Sequence, residues 1–190
     1  MSETYQHSPL LEAVMENTER YSTKTAIMMN GCEVSYGQLG ANIRKAATVL
    51  NNLGAKAGDR IILSAHKDVE YIYLYFGAHI LGVTNVIVDA ESNEERLCYI
   101  ESKVKPICCF GYQSSQFPSK KFEELDLDKV EEYVGSDDTL SESDIAEILF
   151  TTGTTGAPKG VCLSYYNIFS SASNINDPDS SEQCNKGVRL

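Results

Sequence analysis

The feature that most constrains the fold lies between residues 60 and 110, where three short apolar runs alternate with two segments of helical period. The runs are 60–65, 84–88 and 107–110, each four to six residues long. Apolar strands of that length are buried on both faces, and strand–helix–strand units join parallel strands through right-handed crossovers. The first helical segment, 68–81, is read as capped by Asp68. It carries Val69, Ile72, Tyr73, Phe76 and Ile80 on one side, with Gly82 past its end. In the second, Ser92 and Glu95 form a capping box, Leu97, Ile100 and Val104 supply the apolar stripe, and Pro106 stops the helix. The expected class is therefore α/β, a mostly parallel sheet with helices on both faces.

The flanks follow the same rules. Ser8 is placed to cap a short amphipathic helix carrying Leu10, Leu11 and Val14. Residues 25–29 and 32–35 read as strands joined at Asn30-Gly31, a pairing favoured in type I′ hairpin turns. Ser35 and Gln38 form a capping box before a helix with Leu39, Ile43, Ala46, Ala47 and Leu50 on its buried side, ended by Gly54. After the third apolar run comes an acidic stretch, 120–147, with eleven acids against three lysines, expected to be partly helical around 128–133. Residues 146–151 read as a buried strand, 161–163 as another, and 167–175 as the start of a helix. Residues 176–190 are polar and unpatterned apart from Val188 and Leu190.

Composition narrows the function classes. A formal net charge of −11 argues against a nucleic-acid partner. The acidic stretch reads as solvated surface. The six cysteines form no CxxC pair, and no histidine stands at zinc-binding spacing, so no metal site is expected. Met1-Ser2-Glu3-Thr4 does not start a signal peptide, and the most apolar stretch, 71–88, is broken by His79, Asn85 and two glycines. A cytoplasmic protein without a membrane span is expected. His7, His66 and His79 show no triad or metal pattern. Tyr71, Tyr73 and Tyr75 are spaced for packing, and Asp89, at a strand end, reads as structural.

One segment carries chemistry: Thr151, Thr152, Gly153, Thr154, Thr155, Gly156, Ala157, Pro158, Lys159 and Gly160. Three glycines let successive backbone N–H groups converge on one anion. Four threonine hydroxyls and the Lys159 ammonium add donors and charge, making a cradle for a polyphosphate. The pattern is not a Walker A loop, which needs GxxxxGK[ST] opening a helix. Pro158 and the β-favouring Val161, Cys162 and Leu163 indicate strand–loop–strand instead.

With Phe150 in front of it, this segment resembles the signature [FY]-T-[ST]-G-[ST]-T-G-x-P-K-G of the adenylate-forming superfamily: acyl- and aryl-CoA synthetases, nonribosomal peptide adenylation domains and luciferases. Lesser similarities run upstream in the family's order. Val34 to Leu39 is similar to "TYxEL", Gly58 to Ile61 to "GDRV", Leu81 to Asp89 to "LKAGAxYVPLD", and Glu95-Arg96-Leu97 to "ERL". The resemblance covers about residues 8–175. It implies the first part of the large N-terminal domain (1–175), with 176–190 as a tail and the C-terminal domain absent.

It also implies a parent reaction in which a carboxylate attacks the α-phosphate of ATP, giving acyl-AMP and pyrophosphate. A thiol, from coenzyme A or a carrier protein's pantetheine, then takes the acyl group. Thr151, Thr152, Gly153, Thr154, Thr155, Gly156, Lys159 and Gly160 would bind the β- and γ-phosphates. Mg²⁺ is expected for the full-length parent, with its ligand outside these residues. Two departures stand out: Tyr165 occupies the histidine position of the family's "LSHxN", and similarity fades after Ile175. No complete catalytic set is expected within 190 residues. Two alternatives are an inactive polyphosphate-binding remnant and an acidic interaction module.

Overall fold

The computed structural model describes residues 4–5, 8–29, 31–135, 140–141, 143–151 and 158–175. The elements in chain order are β1 (Thr4–Tyr5), α1 (Pro9–Arg20), β2 (Thr25–Met29), β3 (Cys32–Ser35), α2 (Tyr36–Asn52), β4 (Arg60–Ala65) and α3 (Val69–Ile80). They continue with β5 (Thr84–Asp89), α4 (Glu94–Val104), β6 (Cys108–Phe110), β7 (Ser119–Lys120), β8 (Leu140–Ser141), β9 (Ile145–Thr151), β10 (Lys159–Ser164) and α5 (Tyr165–Ile175). The main sheet has six strands in the order β10-β9-β5-β4-β6-β7. Every pair is parallel except β9–β10.

The α/β expectation is met, and alternation along the strands explains why both faces are covered. Ile61, Leu63, Cys108 and Phe110 point into a core shared with α2 and α3. Ile62, Val86, Val88 and Cys109 point the other way, toward Ile100 and Val104 of α4. The α2 stripe of Leu39, Ile43, Ala46, Ala47 and Leu50 is fully interior, as its spacing predicts. Helices α2 and α3 approach through small residues. A Cβ on Gly77 would lie 2.9 Å from the Ala47 backbone nitrogen, so only glycine fits there.

The expected caps at Ser8 and Ser35 are present. Ser8 Oγ accepts from the Leu11 N–H at 3.1 Å. At Ser35 the box is reciprocal: Gln38 N–H donates to Ser35 Oγ at 3.2 Å, and Ser35 N–H donates to Gln38 Oε1 at 2.8 Å. The hairpin pairs Met29 with Cys32, while Asn30 lies outside the described residues.

Several local expectations are corrected. Asp68 stands at the N-cap of α3, but its side chain makes no capping bond. The α3 stripe is broader than expected: Tyr73, Leu74, Gly77, Ala78 and His79 are the buried positions, because α2 covers one side and α1 and α5 approach others. At α4 the cap is Asn93, whose Oδ1 accepts from the Arg96 N–H at 2.9 Å, so the Ser92–Glu95 box does not form. Around 128–133 there is only a single 3₁₀ turn, Leu127–Lys129. Strand β9 is less buried than its composition suggests. Ala146 is interior, but Ile145 and Leu149 are 39% and 37% exposed, because helices cover the middle of the sheet better than this end.

Candidate phosphate-binding site

Strands β9 and β10 are the two arms of the Gly/Thr segment, as the sequence predicts. Lys159 stands opposite Thr151, and Gly160 opposite Phe150. Because β9 runs parallel to β5, and β5 to β4, the hairpin closes at the carboxyl ends of the parallel strands. Open α/β sheets bind ligands at this end, since the strand-to-helix connections there leave a crevice. Thr152, Gly153, Thr154, Thr155 and Gly156 lie outside the described residues. Thr151, Lys159 and Gly160 are the members of the segment's predicted donor set among the described residues.

Thr151 and Lys159 are exposed and occupy one rung, with Thr151 Oγ1 donating to the Lys159 carbonyl at 3.4 Å. Gly160 has a steric reason. A Cβ there would stand 3.3 Å from Ile148 Cγ2 and 3.3 Å from the Phe150 ring, so any side chain would press on the strand that carries the loop. Phe150 and Ile148 in turn rest on the cluster beneath α4.

One residue of the site was not singled out for a role by the motif. Arg96, in the first turn of α4, donates from Nη2 to the Phe150 carbonyl at 2.9 Å. Asn93 fixes the start of that helix, so the cap, the arginine and the loop arm form one chain of contacts. Periodicity could not have found this contact, because it spans 54 residues of sequence.

Deeper along β9, Tyr75 donates to Glu147 Oε2 at 3.0 Å. Burial raises the Glu147 carboxyl above its usual range, with the Tyr75 hydrogen bond acting in the opposite direction. Below β10, Ser164 caps α5 reciprocally: Asn167 N–H donates to Ser164 Oγ at 3.2 Å, and Ser164 N–H donates to Asn167 Oδ1 at 3.0 Å. Tyr165 then turns inward, 3% exposed, and meets the His79 ring edge-on with centroids 5.0 Å apart. His79 is wholly buried. Its Nδ1 lies 3.3 Å from Ser8 Oγ, and burial pushes its pKa down to about 3. Both rings belong to the core. Among the described residues, no group of three His, Cys, Asp or Glu side chains is arranged to hold a metal ion. No helix among them is long and apolar enough to cross a membrane.

The chain is thus a mostly parallel α/β protein in which β9 and β10 flank the Gly/Thr segment and bring Lys159 to the carboxyl edge of the sheet. The chain belongs to the AMP-binding enzyme family, whose pattern matches residues 14–187. It is 32% identical over 174 residues to the L-proline--[L-prolyl-carrier protein] ligase of Pseudomonas fluorescens, a match covering 83% of this chain and 35% of that protein. It is 28% identical over 185 residues to the crotonobetaine/carnitine--CoA ligase of Salmonella paratyphi A, covering 79% and 35%. The chain thus spans about a third of the length of these relatives.

Among solved structures, the N-terminal subdomain of Klebsiella oxytoca NpsA superposes with a TM-score of 0.73 at 21% identity, over 85% of this chain and 43% of that one. The Bacillus subtilis O-succinylbenzoate coenzyme A synthetase MenE, in complex with AMP, gives 0.77 at 17% identity, over 100% and 48%. These likenesses establish the fold.

Proposed function

We propose that this chain supplies the polyphosphate-binding portion of an ATP-dependent ligase that activates a carboxylate as acyl-AMP and passes it to a thiol. The observation that carries the reading is the placement of the signature segment. Its arms, β9 and β10, hold Thr151 and Lys159 on one rung at the carboxyl edge of the sheet, in a chain of the AMP-binding family. In that reading a carboxylate oxygen bonds to the α-phosphorus of ATP as the bond to the pyrophosphate oxygen breaks. The negative charge gathering on the leaving group is met by the loop N–H groups, by the hydroxyls of Thr151, Thr152, Thr154 and Thr155, and by Lys159. Gly153, Gly156 and Gly160 keep the backbone close. Preplaced donors of this kind act without reorganising as charge develops.

The donor set fits a polyphosphate: threonine hydroxyls and an ammonium, with Arg96 placing a second cation at the base of the arm. Magnesium would be bound by ligands other than those described. The acceptor is a coenzyme A or carrier-protein thiol, as the names of the two relatives suggest. Residues 1–190 by themselves bind polyphosphate without turning it over, since the reading assigns them only leaving-group contacts.

Calorimetric titration of ATP and of pyrophosphate into the wild type and Lys159→Ala tests the site. A charge-assisted contact is worth about 1.5–3 kcal/mol, so the variant should bind roughly ten- to a hundredfold more weakly. Equal binding by both proteins would remove the loop from the role.

A further inference from the structure

A cavity of about 480 Å³ opens at the amino edge of the sheet, opposite the edge that carries the Gly/Thr loop. Its walls include Arg60 at the start of β4, Thr84 at the start of β5, Asp144 just ahead of β9, and Leu140, Ile148 and Cys162. Register explains why the strand residues meet. Arg60 stands opposite Thr84, Val86 opposite Ile148, and Ile148 opposite Cys162, so alternation turns them all to one face of the sheet. Helix α4 packs on that face, but it covers Ile62, Val86, Val88 and Cys109 and leaves this corner open.

Two side chains of the lining are charged, Arg60 and Asp144, and both are exposed. Among the described residues neither forms an ion pair. Strand β5 lies between β4 and β9, so two strand spacings, roughly 10 Å, hold them apart. The Thr84 groups are already committed: its Oγ1 donates to the Ile145 carbonyl at 2.7 Å and its N–H to the Asp59 carbonyl at 2.8 Å. Asp144 Oδ2 accepts from the Ser141 N–H at 2.8 Å, which leaves Oδ1 without a partner among the described residues. The cavity thus presents a guanidinium fork, a carboxylate oxygen, and an apolar wall of Leu140 and Ile148.

A ligand of one charge suits only half of this lining. A carboxylate or phosphate drawn to Arg60 is repelled by Asp144, and an ammonium drawn to Asp144 is repelled by Arg60. A zwitterion suits both. We infer that the cavity binds a free α-amino acid with an apolar side chain. Its carboxylate accepts from the Arg60 fork, its ammonium donates to Asp144 Oδ1, and its side chain lies on Leu140 and Ile148. Strand β9 separates Asp144 from Thr151 by roughly 20 Å, so this ligand is not the carboxylate that attacks ATP. The site stands independently of the reading of the Gly/Thr loop.

Cys162 provides an exposed reporter within the wall, and the exposed Cys32 an internal reference. Iodoacetamide alkylation of the folded 190-residue protein at neutral pH, read residue by residue by mass spectrometry, is followed with L-leucine, 4-methylpentanoate and 3-methylbutylamine. The last two keep the side chain and lack the ammonium or the carboxylate. At about 10 mM, leucine should slow Cys162 labelling at least about threefold, as a Kd of about 5 mM or tighter requires, with Cys32 unchanged. The two singly charged analogues should leave Cys162 near its ligand-free rate. Arg60→Gln and Asp144→Asn, the second keeping the acceptor for Ser141, should each weaken binding about tenfold and so remove the protection. The analogue comparison uses the wild type alone and decides the matter even if a variant does not fold. Unprotected Cys162 with leucine, equal protection by either analogue, or protection retained in a folded variant would overturn the inference.

Discussion

Arg96 and Gly160 show how single residues set the loop. Arg96 donates to the carbonyl of Phe150, while the missing side chain of Gly160 leaves room for the Phe150 ring beside the opposite arm. Arg96→Ala removes a charge-assisted contact worth about 1–2 kcal/mol in a half-exposed setting. Its expected effect is a two- to tenfold loss of ATP affinity with Lys159 intact, measured by the same titration. Gly160→Val should be harsher, because its Cβ would start 3.3 Å from the Ile148 side chain and from the Phe150 ring, both already packed beneath α4, and its two methyls would press further on them. Thermal unfolding should then show a clear drop in the midpoint together with weaker binding. The signature makes Lys159 and Gly160 legible in sequence. The role of Arg96 is not, because its partner is a backbone carbonyl and nothing in residue spacing encodes which carbonyl a long side chain reaches.

At the scale of elements, caps distinguish a pattern from the bond that forms. Ser92 and Glu95 have box spacing, yet the helix starts one residue later, on Asn93. Ser92 Oγ is left buried without a partner. Asn93→Ala is therefore expected to cost about 1 kcal/mol, whereas Ser92→Ala should be neutral or slightly stabilising, since it removes an unsatisfied hydroxyl. Urea unfolding of the two variants decides between the assignments. The helices and strands themselves were legible because period and apolar runs survive in the sequence, as α2 and β4 show. Exact starts were not, since Ser, Asn and Asp compete for the same capping role over one or two positions. The limited burial of β9 was also hidden: an apolar run records what a strand prefers, whereas exposure depends on which helices reach it. Tyr165 illustrates the reverse. A departure from the family pattern in sequence becomes, in the fold, a core ring against His79, and Tyr165→Ala should cost about 3–5 kcal/mol.

Over the whole molecule, His79 couples stability to pH. It sits where α1, α3 and α5 meet, against Ser8, Tyr75, Phe76 and Tyr165. Two carboxyls act on that cluster: Glu147 accepts from the Tyr75 hydroxyl, and the charge of Asp144 acts on Tyr165. In the folded protein, burial holds the imidazole neutral, with its pKa lowered from 6.5 to about 3. The unfolded chain takes up a proton on this residue below about pH 6.5, and the folded chain does not until about pH 3. Stability from this group is therefore full above about pH 6.5 and declines as the pH falls toward 3, by about 1.4 kcal/mol per unit. Glu147 acts in the opposite sense: its raised pKa means that the folded state binds a proton more readily than the unfolded one through the carboxylate range. The two groups thus enter the acid slope with opposite signs, and a single curve for the wild type would not separate them. His79→Phe separates them, because it keeps a ring of similar size between Tyr75 and Tyr165 and removes the titration. Urea unfolding of both proteins at half-unit steps from pH 7.5 to 4 should give stabilities that diverge steadily below about pH 6.5, with the variant the less acid-sensitive. Parallel curves would mean that the imidazole is protonated in the folded core, and that the aromatic cluster holds a charge that its burial argues against.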